Sequence, residues 1–85
     1  MKPKYTFEKE VKVGIWENCT MTARVYEDKV IVIEPYVRWM GNSGSLSEAK
    51  KSIRNIDTVK RINQELADDC EDTAWEIIQK EINNY

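Results

Sequence analysis

Apolar and polar residues alternate through the first forty positions of this chain. Tyr5, Phe7, Val11, Val13 and Ile15 alternate with Thr6, Glu8, Glu10 and Lys12, a period of two that predicts a half-buried strand. Met21, Ala23 and Val25 continue the pattern, and Ile31, Ile33, Val37 and Trp39 form a third run. Turn candidates fall at Glu17-Asn18-Cys19 and Asp28-Lys29-Val30, which predicts a three-stranded antiparallel meander within residues 4–39.

Register follows from keeping apolar faces together, since a one-residue slip turns every side chain over. Setting Trp16 opposite Thr20 pairs Ile15 with Met21, Val13 with Ala23 and Val11 with Val25. Setting Glu27 opposite Ile31 pairs Val25 with Ile33 and Met21 with Val37, and places Arg24 opposite Glu34 as an ion pair. A two-residue turn at Asp28-Lys29 is disfavoured in this reading because it drives Glu34 into the core. Pro35 has no N–H, so the third strand is expected to be an edge there or to carry a bulge.

Beyond Gly44 there is neither Gly nor Pro, and the period changes. The segment 41–45 reads as a Gly/Ser hinge, and Ser45-Leu46-Ser47-Glu48 as a capping box opening a helix. Thr73-Ala74-Trp75-Glu76 repeats that device before a last helix carrying Ala74, Trp75, Ile78, Ile82 and Tyr85 on one face. Between them, the apolar stripe of Leu46, Ala49, Ile53 and Ile56 swings by roughly 125° to that of Val59, Ile62 and Leu66 at about 100° per residue. A break near Asp57-Thr58 accounts for the swing, so two or three short helices are expected within 46–84. The fold class is α+β, a single domain over 1–85 with the helices on one sheet face.

Composition narrows function mainly by exclusion. The chain has 85 residues, 13 Lys and Arg against 15 Asp and Glu, and a net charge of −2, too little for long-range attraction to nucleic acid or an anionic membrane. Histidine is absent, which removes Ser-His-Asp and Cys-His activation and the near-neutral proton shuttle. Cys19 and Cys70 form no CxxC spacing, and without a secretory or membrane-spanning run they are expected to be free thiols in a cytoplasmic protein. Asn18-Cys19-Thr20 fits a glycosylation sequon that has no export signal to go with it.

Three segments raise chemical questions and answer them modestly. Gly41-Asn42-Ser43-Gly44-Ser45 lacks the lysine and the glycine spacing of a phosphate-binding loop, so hinge and cap outweigh anion binding. Asp68, Asp69, Glu71 and Asp72 lack the one-three-five oxygen spacing and the glycine of a calcium loop. They suit a helix start, where acids oppose the macrodipole, and they push the Cys70 thiol up. Lys50, Lys51, Arg54, Lys60 and Arg61 read as a solvated face. No metal or cofactor is expected, and no enzyme activity.

The expected register leaves one unusual surface. On the sheet face away from the helices it gathers Trp16, Arg24, Tyr26, Val32, Tyr36 and Arg38, an aromatic and arginine mixture where a purely solvated face would be polar. Tyr36 lying across Gly14 gives it a plain structural role. Because Trp, Tyr and Arg dominate interface hot spots, the alternative role is protein binding, to a larger protein or a second copy. Base stacking on Trp16 and Tyr36 is the competing reading, opposed by a pI near 5.2 and by Glu10 and Glu34 on the same face. In size and in its Lys/Glu/Asn/Ile-leaning composition the chain resembles the small accessory proteins with which bacteriophages bind and inhibit host factors, a likeness of style that rests on no motif. It implies a protein-binding inhibitor in the cytoplasm of an infected host.

Overall fold

Three two-residue turns fold the first 53 residues into one sheet. The computed structural model describes residues 2–83 and contains β1 (Tyr5–Val13), β2 (Trp16–Val25), β3 (Val30–Met40) and β4 (Ser43–Ile53), then α1 (Ile56–Ala67) and α2 (Glu71–Ile82). The strands are antiparallel in the order β1-β2-β3-β4. The α+β class stands, but the three-stranded meander is corrected to four strands, and the residues assigned to a first helix form β4.

The reason lies in tertiary pairing. Leu46, Ala49 and Ile53 fit a helical repeat, yet the same segment also alternates, with Ala49, Lys51 and Ile53 on one face and Gly44, Leu46, Glu48 and Lys50 on the other. Gly41-Asn42 is a tight turn rather than a hinge. Gly41 takes φ 63°, the left-handed value a type II′ hairpin turn needs at its first central residue. That turn delivers β4 onto β3 in unbroken register from Met40↔Ser43 to Val30↔Ile53. A serine-rich segment of weak helical preference is thereby captured by a full ladder.

The first turn also moves. Gly14-Ile15, with Gly14 at φ 60°, connects β1 to β2, so Val11 pairs with Cys19 and Phe7 with Ala23. The apolar phase of the expected pairing is kept while the register shifts by six. Asn18 is no turn residue. It sits at φ 61° where the pairing slips between Val11↔Cys19 and Val13↔Trp16, an extra residue in a β-bulge.

At the second turn the phase itself reverses. Tyr26 N–H donates to the Lys29 carbonyl at 2.8 Å, closing a turn at Glu27-Asp28 that pairs Val25 with Val30 and Ala23 with Val32. Val30 and Val32 therefore enter the core, and Ile31 and Ile33 turn outward. Glu34 does face the helix side, the outcome the sequence argued against, and Lys51 Nζ stands 3.0 Å from its Oε2 without a well-aligned hydrogen bond. Both side chains keep about a third of their surface in solvent, although Glu34 Oε2 itself is buried against the Lys51 ammonium. Arg24 faces Ile31 and Thr6 instead of Glu34.

Pro35 then divides the sheet. The Tyr26–Lys29 bond fixes odd-numbered residues of β3 to point their backbone at β2. Pro35 is the next odd position after Ile33, has no N–H to give, and the β2–β3 ladder stops at Thr22↔Ile33. Pairing with β4 continues past it. Two hairpins thus share a common base and run on as separate arms, within overall extents of 44 × 25 × 21 Å.

The helices cover that base. Phe7, Met21, Ala23, Val25, Val30, Val32 and Ile53 pack with Val59 and Ile62 of α1 and Ala74, Ile78 and Ile82 of α2, and Trp75 meets Phe7 edge-on at 5.7 Å. Asn55 caps α1, its Oδ1 accepting from the Asp57 and Thr58 N–H groups at 3.1 and 3.2 Å, so the cap falls two residues before the expected Asp57. Asp69 at φ 62° turns the chain, and α2 starts at Glu71 rather than at the Thr73 box. Tyr85, assigned to the buried face of this helix, lies outside the described residues.

Candidate functional site

The six residues expected to share a surface do not form one. Val32 is fully buried in the core. Arg24 is exposed on the outer face of the base, and Tyr26 sits at the second turn with the Lys29 ammonium 5.1 Å from its ring centroid. Tyr36 and Arg38 alternate in phase with Val32 along β3, on the helix-side face beyond the helices, opposite Ser47 and Ser45. Trp16 is half-buried at the start of β2. The physical cause is the reversed phase at Glu27-Asp28, which sends the residues of β3 to the faces opposite those assigned to them.

A different cluster takes their place at the far end of the arms. A shallow, mainly apolar hollow is lined by Gly14, Ile15 and Trp16 from the first hairpin and by Val37, Trp39, Asn42 and Gly44 from the second. A Cβ on Gly14 would stand 3.3 Å from Val37 Cγ2 and 3.6 Å from the Trp16 ring, so the absence of a side chain lets the arms close on each other. Gly44, directly opposite Trp39, would bring a Cβ within 3.1 Å of both the Trp39 ring and Val37. The aromatic cover expected of Tyr36 over Gly14 is supplied by Trp39 over Gly44.

Two of the three most exposed large apolar side chains among the described residues line this hollow, and the third, Met40, ends β3 beside it on the other strand face. Ile15 is 87% exposed, Met40 71% and Trp39 68%. Ile15 and Met40 flank or occupy tight turns, where no neighbouring strand can cover them. Sequence reasoning missed Ile15, Trp39 and Met40, having placed Ile15 and Trp39 in the core-facing runs. The available signal was the Gly-x pair at each tip, Gly14-Ile15 and Gly41-Asn42, which marks a hairpin end rather than a strand or hinge.

The titratable groups at the base are structural. Lys9 Nζ lies 3.1 Å from Glu71 Oε1 and 3.6 Å from Asp72 Oδ1, tying β1 to the first turn of α2. The bond to Glu71 is the main reason its ammonium is held above 10.5. Those two acids thus serve the helix start, as their position before α2 suggested. The exposed Cys70 thiol is raised above 9.0, first by partial desolvation and then by Glu65, Asp68 and Asp69. No group of three or more metal-ligating side chains occurs among the described residues, and no helix there is long and apolar enough to cross a membrane.

No family model, curated protein or solved structure matches this chain.

Proposed function

We propose that the protein is a small non-enzymatic binding module that inserts the apolar end of its two hairpins into a partner protein. The observation that carries this reading is the exposure of Ile15 and Trp39, 87 and 68%, on one hollow, with Met40, 71% exposed, at the same end of β3 on the other strand face. Scattered apolar residues are ordinary on a surface, whereas a cluster of them at a projecting end signals contact. Trp and Met are enriched in interface cores, and Trp among hot spots. The nearby charges are balanced, Lys12 and Arg38 against Glu17 and Glu48, so neither phosphate nor an anionic lipid surface is favoured. Size and composition point to a larger host protein as the partner, held and blocked rather than chemically altered.

The test is capture from a bacterial lysate with tagged protein, with and without nuclease, followed by titration of the captured protein in purified form. Wild type is expected to retain one protein after nuclease treatment, and Ile15→Ser with Trp39→Ser to lose it with an unchanged circular dichroism spectrum. Capture that survives the double substitution, or that disappears with nuclease, overturns the proposal.

A further inference from the structure

The β4 edge is a second surface, independent of the hairpin ends. In the sheet order β4 is terminal, eleven residues long, and among the described residues no strand pairs with its outer side. Met40 and Ser43 close the two-residue turn, so alternation points the backbone of Ser43, Ser45, Ser47 and Ala49 at β3. The N–H and C=O groups of Gly44, Leu46 and Glu48 then point outward. Natural edge strands are normally guarded by lysines, prolines or bulges. Here Lys50 and Lys51 guard only the half near the helices, while Ser43–Ser47 carries no charge and no proline, and its pairing with β3 has no bulge.

We propose that two copies of this chain pair β4 with β4 antiparallel, about a twofold axis through Leu46, to form one continuous sheet. The axis sets Leu46 opposite Leu46 of the second copy, Glu48 opposite its Gly44, Ser45 opposite its Ser47 and Ser43 opposite its Ala49. No like charges face each other, and two exposed leucines become neighbours. An axis one outward-facing residue on, at Glu48, would oppose two glutamates. Nor do the helix layers collide. They cover the Ile53 end of β4, where the side chain is buried, and antiparallel pairing carries the two layers to opposite ends. The paired stretch of seven residues is about 24 Å long at ~3.4 Å per residue. A single strand pair of that length, with no helix packing across it, is a smaller contact than the ~1,200–2,000 Å² of a standard stable interface, which makes this a weak, concentration-dependent dimer.

Analytical ultracentrifugation from about 10 µM to about 1 mM tests it. The wild-type mass is expected to rise from 10.0 kDa toward twice that value. Glu48→Pro deletes an outward N–H while leaving the bonds to β3, and is expected to stay monomeric at about 1 mM with native circular dichroism. If that variant misfolds, Leu46→Lys, which opposes two ammonium groups on the axis, is expected to give the same monomer. Ile15→Ser with Met40→Ser is expected to dimerise like wild type. A wild type that remains at 10.0 kDa throughout, or a folded Glu48→Pro or Leu46→Lys that dimerises normally, overturns the proposal. Loss of the dimer only in the Ile15/Met40 variant also overturns it, and would assign self-association to the hairpin ends.

Discussion

The phase of β3 decides which residues this protein displays, and Val32→Thr tests it directly. Val32 is 0% exposed, facing Ala23 and packed among Val25, Val30 and Ile53. Threonine has nearly the same shape, so the change is chemical: a buried methyl becomes a hydroxyl with no partner prepared for it. Removing the methyl from the core costs about 0.8 kcal/mol. Burying the unpaired hydroxyl adds about 1–3 kcal/mol, for a total of ~2–4 kcal/mol against a net stability of ~4–13 kcal/mol for a chain of this length. Ile33→Thr is the matched control. Its side chain is half-exposed on the outer face, its hydroxyl reaches water, and the loss is expected to stay below about 1 kcal/mol. Urea unfolding followed by tryptophan fluorescence reads the difference. With a slope of ~1–2 kcal/mol per molar, the Val32→Thr midpoint should fall by about 1–4 M and the Ile33→Thr midpoint by less than about 1 M. An Ile33→Thr cost equal to or above that of Val32→Thr would refute the register, and with it the identification of the exposed end.

Three further outcomes follow from local geometry. Lys9 is held above 10.5, so its contribution to stability is fully present below that pH and is lost as pH rises through the folded-state value. Thermal unfolding should therefore show a decline above pH 10.5 that is smaller in Lys9→Met. Thiol labelling of the native protein should modify one cysteine, the exposed Cys70, with a pH–rate midpoint above 9.0, and Cys19 should react only on unfolding. Two fast-reacting thiols at neutral pH would contradict this. Asn18→Gly should change stability by no more than a few tenths of a kcal/mol, while Asn18→Val should cost about 1–2 kcal/mol at φ 61°, both measurable by urea titration.

Much of this architecture is legible in the local pattern. The alternation of Phe7, Met21, Ala23 and Val25 marks the core face of the first two strands, and Ala74, Ile78 and Ile82 mark the buried stripe of α2. In both cases the hydrophobic period is the direct signature of burial on one side. Pro35 likewise announces an interrupted ladder, because a missing N–H has the same meaning wherever it occurs. The acids before α2 were readable for a similar reason, and the lifted Cys70 thiol in direction only, since desolvation raises it first and the nearby Glu65, Asp68 and Asp69 add to that.

The remainder was settled by partners distant in the chain. Ser43–Ile53 satisfies a helical and an extended pattern equally well, and only the presence of β3 across the Gly41-Asn42 turn chooses between them. Val30 and Val32 competed with Ile31 and Ile33 for the core on nearly equal hydrophobicity. A turn closed at Glu27-Asp28 in place of Asp28-Lys29-Val30, a three-residue change of register, resolved that contest, with Lys51, seventeen positions after Glu34, accommodating the carboxylate that argued the other way. The exposed end formed by Ile15, Trp39 and Met40 belongs to this second group. Sequence fixes that these residues are apolar, but whether an apolar side chain is core or surface depends on what lies over it, and the helices cover only the base of the sheet.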